Sequence, residues 1–370
     1  EMCIRDRHET ATKPDCVVTH ADGTTGTQSA QSINALCEAS LYPLVVGGGV
    51  HVQDVPMLAG TYADGWFVVS AIAAAHDPEQ ATQDLVNAWL AVRGDTRHGY
   101  AQHTADPHTL PAALTIATTD SSGGAGIAAD LKAMLANDVY GMCVVAGITA
   151  QNTTGVQLIA PVDPAVVREQ IDSVFTDIRP AAVKIGVIVG DDQIETVAAA
   201  LRDHHAENVV VDPVMVATSG SSLADSSAVR TMTRELFPLA ALITPNIPEA
   251  QALTGAEISS AADMERAARA LAERFGCATL VKGGHGTQDA NDVLALPDGA
   301  TQWFAGERIG NPNTHGTGCT LSSAIAAHLA LGEPLGNAIA HAKAYVSGAL
   351  RAMLDLGAGS GPMDHGWAQH

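Results

Sequence analysis

From residue 112 onward, short apolar runs alternate with stretches whose apolar residues recur at helical spacing. The runs 113–119, 142–150, 181–189, 208–211, 241–244 and 278–281 predict strands, and the patterns near 163–176, 191–204, 246–254 and 260–275 predict helices between them. A glycine-rich turn and a helix follow the first run. Segments 293–296 and 302–308 predict a small hairpin, and two helices near 317–331 and 333–356 close the region. Such alternation predicts an α/β domain, a mostly parallel sheet covered by helices on both faces.

Residues 94–111 carry two prolines and no apolar periodicity, which predicts a linker between a short segment, 1–93, and a long one, 112–370. The short segment reads as strand–helix–strand–helix, with glycines or serine at the strand ends around Gly47-Gly-Gly49 and Val69-Ser70. Paired loops of this kind form a phosphate site at late strands of (β/α)8 barrels, which need about 200 residues or more. The short segment therefore predicts a partial TIM-barrel fragment, and a chain truncated at its N-terminus.

The net charge of −21 excludes a nucleic-acid binder, which needs a basic stripe. No apolar run approaches the roughly 20 residues that span a bilayer, so a soluble, cytoplasmic protein is expected. Six cysteines, at 3, 16, 37, 143, 277 and 319, show no CxxC pair and read as reduced thiols. Lysines stand only at 13, 132, 184, 282 and 343, so an anion site must be built locally from few cations.

The segment Asn313-Thr-His-Gly-Thr-Gly-Cys319 ends a loop and opens an Ala-rich helix. Gly316, Thr317 and Gly318 can aim unpaired N–H groups at an anion. Cys319 sits where the helix start favours a thiolate, a candidate base. Asp120-Ser-Ser-Gly-Gly-Ala-Gly126 lets ligand and backbone approach closely, but it is neither GxGxxG nor a P-loop. Asn246 and Glu249 read either as a capping box or as holders of waters around Mg²⁺. Lys282, at the end of a buried strand beside two glycines, predicts a phosphate contact, and Lys184 a weaker one. Asp212 either caps a turn or reaches the site.

Taken together, Ser121–Asp130, Thr149-Ala-Gln-Asn-Thr153, Thr244-Pro-Asn-Ile-Pro-Glu-Ala250, Val281-Lys-Gly-Gly-His285 and Asn313–Ser322 resemble the hydroxymethylpyrimidine/phosphomethylpyrimidine kinase family of the ribokinase-like superfamily. The resemblance runs from about Ala112 to Gly359-Ser-Gly-Pro-Met-Asp-His365. It implies a three-layer domain that phosphorylates 4-amino-5-hydroxymethyl-2-methylpyrimidine and then its monophosphate, using ATP and Mg²⁺, for thiamine synthesis. It implies that Asp130 and Gln151 hold the aminopyrimidine, that Val214 lines its pocket, that Glu249 and Asn246 organise Mg²⁺, that Lys282 meets phosphate, and that Cys319 is catalytic. Thr118 and Val187 stand where the family usually has Gly and Met, beside the acceptor. The short segment resembles the C-terminal part of thiamine-phosphate synthase, with Thr10-Ala-Thr12-Lys13, Gly49 and Ser70 as phosphate loops. No synthase activity is expected of the chain as given; a homodimer is expected. The alternatives are a pyridoxal or pyridoxine kinase, and a non-catalytic pyrimidine-binding module.

Overall fold

The computed structural model describes residues 8–12, 15–19, 25–28, 34, 45–47, 52–59, 65–67, 70–93, 96–97, 100–101, 110–215, 226–284 and 289–369. The chain divides into two compact units, Glu1–His108 and Thr109–His370.

In the first unit, β1 (His8–Thr12), β2 (Asp15–Thr19) and β3 (Thr25–Gln28) form an antiparallel sheet. Their β-branched Thr and Val residues suit such strands. Thr10 pairs with Val17 and Thr12 with Asp15, so the expected phosphate loop is instead a strand. A barrel would have parallel strands here. Lys13 and Gly49 lie outside the described residues, and Ser70 opens the short helix Ser70–Ala73. β4 (Val45–Gly47) and β5 (Gly65–Phe67) do pair in parallel, with the helix Val55–Ala59 between them. The helix Pro78–Arg93 follows, its first turn capped by Asp77, whose Oδ1 accepts from the amides of Glu79 and Gln80. Within the expected linker, β6 (Thr96–Arg97) and β7 (Tyr100–Ala101) pair as a small hairpin.

The second unit is built on a nine-stranded sheet. Its strands are β8 (Ala112–Thr118), β9 (Tyr140–Asn152), β10 (Gly155–Pro161), β11 (Ala182–Ile185), β12 (Val209–Val211), β13 (Leu242–Ile243), β14 (Ala278–Val281), β15 (Asp292–Ala295) and β16 (Thr301–Phe304). The spatial order is β10-β9-β8-β11-β12-β13-β14-β15-β16. The six strands from β9 to β14 run parallel; β10, β15 and β16 are antiparallel additions at the two edges.

Apart from the longer β9, the parallel strands are short and apolar because both faces are covered, and successive residues serve opposite cores. Leu114, Val183, Val209, Val211 and Ile243 enter one core, beneath the helices Pro164–Asp177, Asp191–Asp203 and Ala261–Phe275. Ala113, Ala182, Val210 and Leu242 enter the other, beneath Gly126–Ala136, Thr317–Ala330 and Leu335–Arg351. Two elements were not foreseen: the edge strand β10 and the helix Ser226–Glu235. The strand order reverses between β8 and β11, so their loops part and leave a crevice above the carboxyl ends of the strands, the usual place for a ligand in such sheets.

Candidate active site

The helix Thr317–Ala330 begins at this crevice. Its N-cap is Gly316 at φ +80°, which offers no side chain to the first turn; the Thr317 amide bonds the Thr314 carbonyl, and the amides of Gly318 and Cys319 keep their capacity for a ligand anion. A Cβ at Gly316 would lie 1.9 Å from the carbonyl oxygen of Gly124, so only glycine lets the 313–318 loop rest on the 120–125 loop. Thr317 spends its hydroxyl on the carbonyl of Thr314. The chain's closing segment fastens this loop from behind. Asn313 Oδ1 accepts from the Gly361 amide, the His315 amide donates to Gly361, and Thr320 Oγ1 meets His365 Nε2.

Beside Gly318 lies a compact charge cluster. A Cβ there would be 3.4 Å from both Asp212 Oδ2 and Lys282 Nζ. Lys282 donates to Asp212 Oδ1 at 2.8 Å, and Thr244 Oγ1 donates to the same oxygen. Asp212 Oδ2 is buried and has no hydrogen-bond partner among the described residues. Glu249 is buried next door. Burial pushes its carboxyl up; Lys282 opposes this and the Asp212 charge adds to it, leaving it at about 7. Burial opposes the charge of Lys282, yet Asp212 and Glu249 raise its pKa. Asn246 and Glu249 form a capping box: Asn246 Oδ1 accepts from the Glu249 amide, and Glu249 Oε2 accepts from the Asn246 amide. The box does not remove Glu249 from the cluster, because it fixes the carboxylate beside Lys282. Two carboxyl groups around one ammonium, one with an unpartnered buried oxygen, make a donor set that fits a divalent cation and phosphate.

Cys319 is half-buried at the third position after Gly316. Its thiol is not the activated group that the helix start suggested. Burial raises its pKa, Lys184 lowers it, Asp130 and Asp212 raise it, and a hydrogen bond from the Gly126 amide lowers it; the net shift is upward. The group is therefore a thiol in this arrangement, within reach of cations that favour ionisation.

Asp130 requires a correction. Its carboxylate is fully buried, and both oxygens bond Lys184 Nζ at 2.8 Å. Thr115 Oγ1 donates to one oxygen at 2.6 Å and Ser323 Oγ to the other at 2.7 Å. A carboxylate so saturated has no lone pair left for an aminopyrimidine. Asp130 and Lys184 form an internal ion pair tying the 126–136 helix to β11 and the 317–330 helix, so Lys184 is not a phosphate contact either. Of the other described lysines, Lys132 bonds the Gly123 carbonyl and Lys343 pairs with Asp292. Lys282 is the lysine that faces the glycine loop.

On the acceptor side, Gln151 stands half-buried one residue before the end of β9. Its Nε2 lies 3.4 Å from His315 Nε2, and its backbone amide and carbonyl both bond Ser121 Oγ. Gln151, Asn152, Thr153, His315 and Ser360 line a cavity of about 370 Å³. Sequence reasoning gave no role to His315 or Asp120, yet they pair at 2.7 Å beneath this cavity. Burial raises the Asp120 carboxyl, but hydrogen bonds from His315 and Ser122 overcome it and hold it at about 2. Thr118 is buried: its amide bonds the Val187 carbonyl, and its methyl packs over Gly147, where a Cβ would be 2.9 Å away. Thr118 and Val187 are thus neighbours at the switch point. Val214 is half-buried just past β12. His285 lies outside the described residues.

A site of glycine-loop amides, one lysine and paired carboxyls above parallel strands belongs to the phosphate-handling class. The family model for phosphomethylpyrimidine kinase matches residues 120–364, and the chain belongs to that family. It is 42% identical over 324 residues to the thiamine biosynthesis bifunctional protein ThiED of Geobacter sulfurreducens, a match that takes in 87% of this chain and 63% of that relative's length. It is 45% identical over 263 residues to the hydroxymethylpyrimidine/phosphomethylpyrimidine kinase of Streptomyces coelicolor, covering 71% of this chain and 97% of that one. Among solved structures, phosphomethylpyrimidine kinase from Clostridium difficile matches with a TM-score of 0.58 and 40% identity, over 64% of this chain and 98% of that one. An ADP complex of Bacillus subtilis pyridoxal kinase matches with a TM-score of 0.66 and 34% identity, over 70% and 99%. The second unit's fold is that of these ribokinase-like kinases.

Proposed function

We propose that the 109–370 unit transfers the γ-phosphoryl group of ATP to the CH2OH oxygen of 4-amino-5-hydroxymethyl-2-methylpyrimidine, and then phosphorylates the monophosphate, giving the diphosphate used to make thiamine. The observation that carries this reading is the convergence at Gly318, in the first turn of the 317–330 helix, where the space beside its Cα lies 3.4 Å from both Lys282 Nζ and Asp212 Oδ2.

The pyrimidine lies in the cavity beside Gln151, whose amide reads its polar edge. The acceptor oxygen attacks the γ-phosphorus as the bond to the β-phosphate oxygen breaks, and that electron pair leaves on ADP. Cys319 receives the hydroxyl proton. A loose transition state leaves that proton in place until late, so a thiol of raised pKa can serve at modest thiolate occupancy. Amides of the 316–319 loop hold the developing charge; a donor of this kind is worth about 10²–10³ in rate. Lys282 neutralises the phosphate. The unpartnered oxygen of Asp212 and the protonatable Glu249 are the groups that would hold Mg²⁺, directly or through water, with Asn246 fixing Glu249. When bound, the ion supplies charge neutralisation to the phosphates.

An assay of ATP consumption tests this, with the free pyrimidine, its monophosphate and pyridoxal as separate acceptors. Turnover on both pyrimidines above that on pyridoxal is expected. Preference for pyridoxal would favour the other reading, which rests on likeness to a pyridoxal kinase. Binding without ATP consumption would make the unit a pyrimidine-binding module.

For the first unit, the reading is a partial synthase barrel inactive by itself, with 1–93 as that fragment, 94–111 as linker and 112–370 as kinase domain. Its support is the parallel β4–helix–β5 unit and likeness to a fused relative. A cytoplasmic homodimer fits an apolar face around Ile148 and Leu158, which are 57% and 61% exposed on β9 and β10. Among the described residues no helix is long and apolar enough to cross a membrane.

A further inference from the structure

At the far end of the catalytic helix, away from its glycine loop, stand His328, Glu333 and His341. Their nearest ligand atoms all lie within 4.8 Å of one another. His328 Nδ1 is 2.9 Å from Glu333 Oε1, and His341 Nδ1 is 2.8 Å from Glu333 Oε2. The two imidazole rings tilt toward each other at 5.2 Å.

The backbone fixes this cluster. The helix Thr317–Ala330 ends in a Schellman turn: the Gly332 amide bonds the Leu329 carbonyl, the Glu333 amide bonds the His328 carbonyl, and Gly332 takes φ +82°. That turn brings Glu333 back over His328. Pro334 then caps the helix Leu335–Arg351, whose second turn presents His341. All three side chains thus come from rigid elements, as a preorganised site requires.

An outer acceptor fixes the ring of His328. Asn137 Nδ2 donates to the Ala133 carbonyl, so Asn137 Oδ1 is the atom that faces His328 Nε2 at 3.1 Å. His328 then donates from Nε2, and its Nδ1 faces the Glu333 carboxylate, where either a proton or a cation can bridge the two. An outer group that holds one imidazole nitrogen protonated while the other faces the ligand position is the usual support of a metal-bound histidine.

The geometry points to a divalent transition-metal site formed by His328 Nδ1, His341 Nδ1 and the Glu333 carboxylate, with Zn²⁺ as the ion its donors fit. Two imidazoles and one carboxylate suit zinc, whose ligands at about 2.1 Å stand about 3.4 Å apart when tetrahedral; the nitrogen–oxygen pairs here are shorter, 2.8–2.9 Å, and all three ligand atoms lie within 4.8 Å. His341 is the exposed member, so a fourth position opens to water. A bound ion would clamp the end of the catalytic helix to the helix that follows.

The test is Zn²⁺ titration of the full chain against a chromophoric chelator, in excess Mg²⁺ to occupy the nucleotide site. Wild type is expected to take up one equivalent that His341→Ala and Glu333→Gln both lose, and its melting temperature should rise with Zn²⁺ where theirs does not. Both variants should keep wild-type turnover without zinc, which shows that they fold. Equal zinc stoichiometry and affinity in wild type and the variants would overturn the assignment.

Discussion

At the scale of single residues, the site is governed by groups whose charge is contested. Cys319 is a thiol held up by burial and two carboxylates. If it takes the acceptor proton, kcat should climb with pH into the alkaline range. Cys319→Asp should shift that limb well to the acid side, and Cys319→Ala should lose turnover severely while melting normally; kcat–pH profiles of the three enzymes check this. Glu249 makes a separate prediction. Its folded pKa, about 7, lies above its unfolded value, so the stability linked to its proton is complete at acid pH and is lost as pH rises toward and through 7. Glu249→Gln keeps the capping box and removes this loss. By the size of the shift, the variant should gain on the order of 3 kcal/mol over the nucleotide-free wild type at pH 8, and nothing at pH 4. Mg²⁺ should narrow the gap at pH 8 by replacing the proton. Urea melts at the two pH values, with and without Mg²⁺, measure it.

At the scale of elements, strands and helices were legible where a pattern filled a whole segment. The parallel strands read directly, because burial on both faces makes each a run of apolar residues. β10 did not, since it is an edge strand with much of its length exposed. The helix Ser226–Glu235 buries Ala228, Thr231 and Met232 on a short face, too little to mark a period. The glycine loops were readable because glycine marks close approach wherever it falls. Partnerships between distant residues were not. The resemblance made Asp130 a ligand contact, and nothing in the spacing announced Lys184, which is 54 residues away. Asp120 and His315 are 195 residues apart. The internal pair yields its own prediction. Lys184→Met should cost about 3–5 kcal/mol by stranding Asp130 in the core. The double variant Asp130→Asn/Lys184→Met should recover most of that, with its KM for the pyrimidine close to wild type. A large rise in KM in the double variant would return Asp130 to the substrate.

At the scale of the whole molecule, every residue assigned to the chemistry lies in the unit Thr109–His370. In calorimetry of the intact chain, the transition belonging to that unit should move upward with Mg-ATP, because a ligand stabilises the body that binds it. A shift confined to the other transition would place nucleotide on the first unit. The contact of Gly316 with Gly124 also constrains anyone who would redesign this protein. Two stretches remote in the gene behave as a single interlocked part, like a key cut on both edges. Grafting one of them from a cousin with a different appetite, and leaving the other behind, would jam the lock; the pair has to be inherited together.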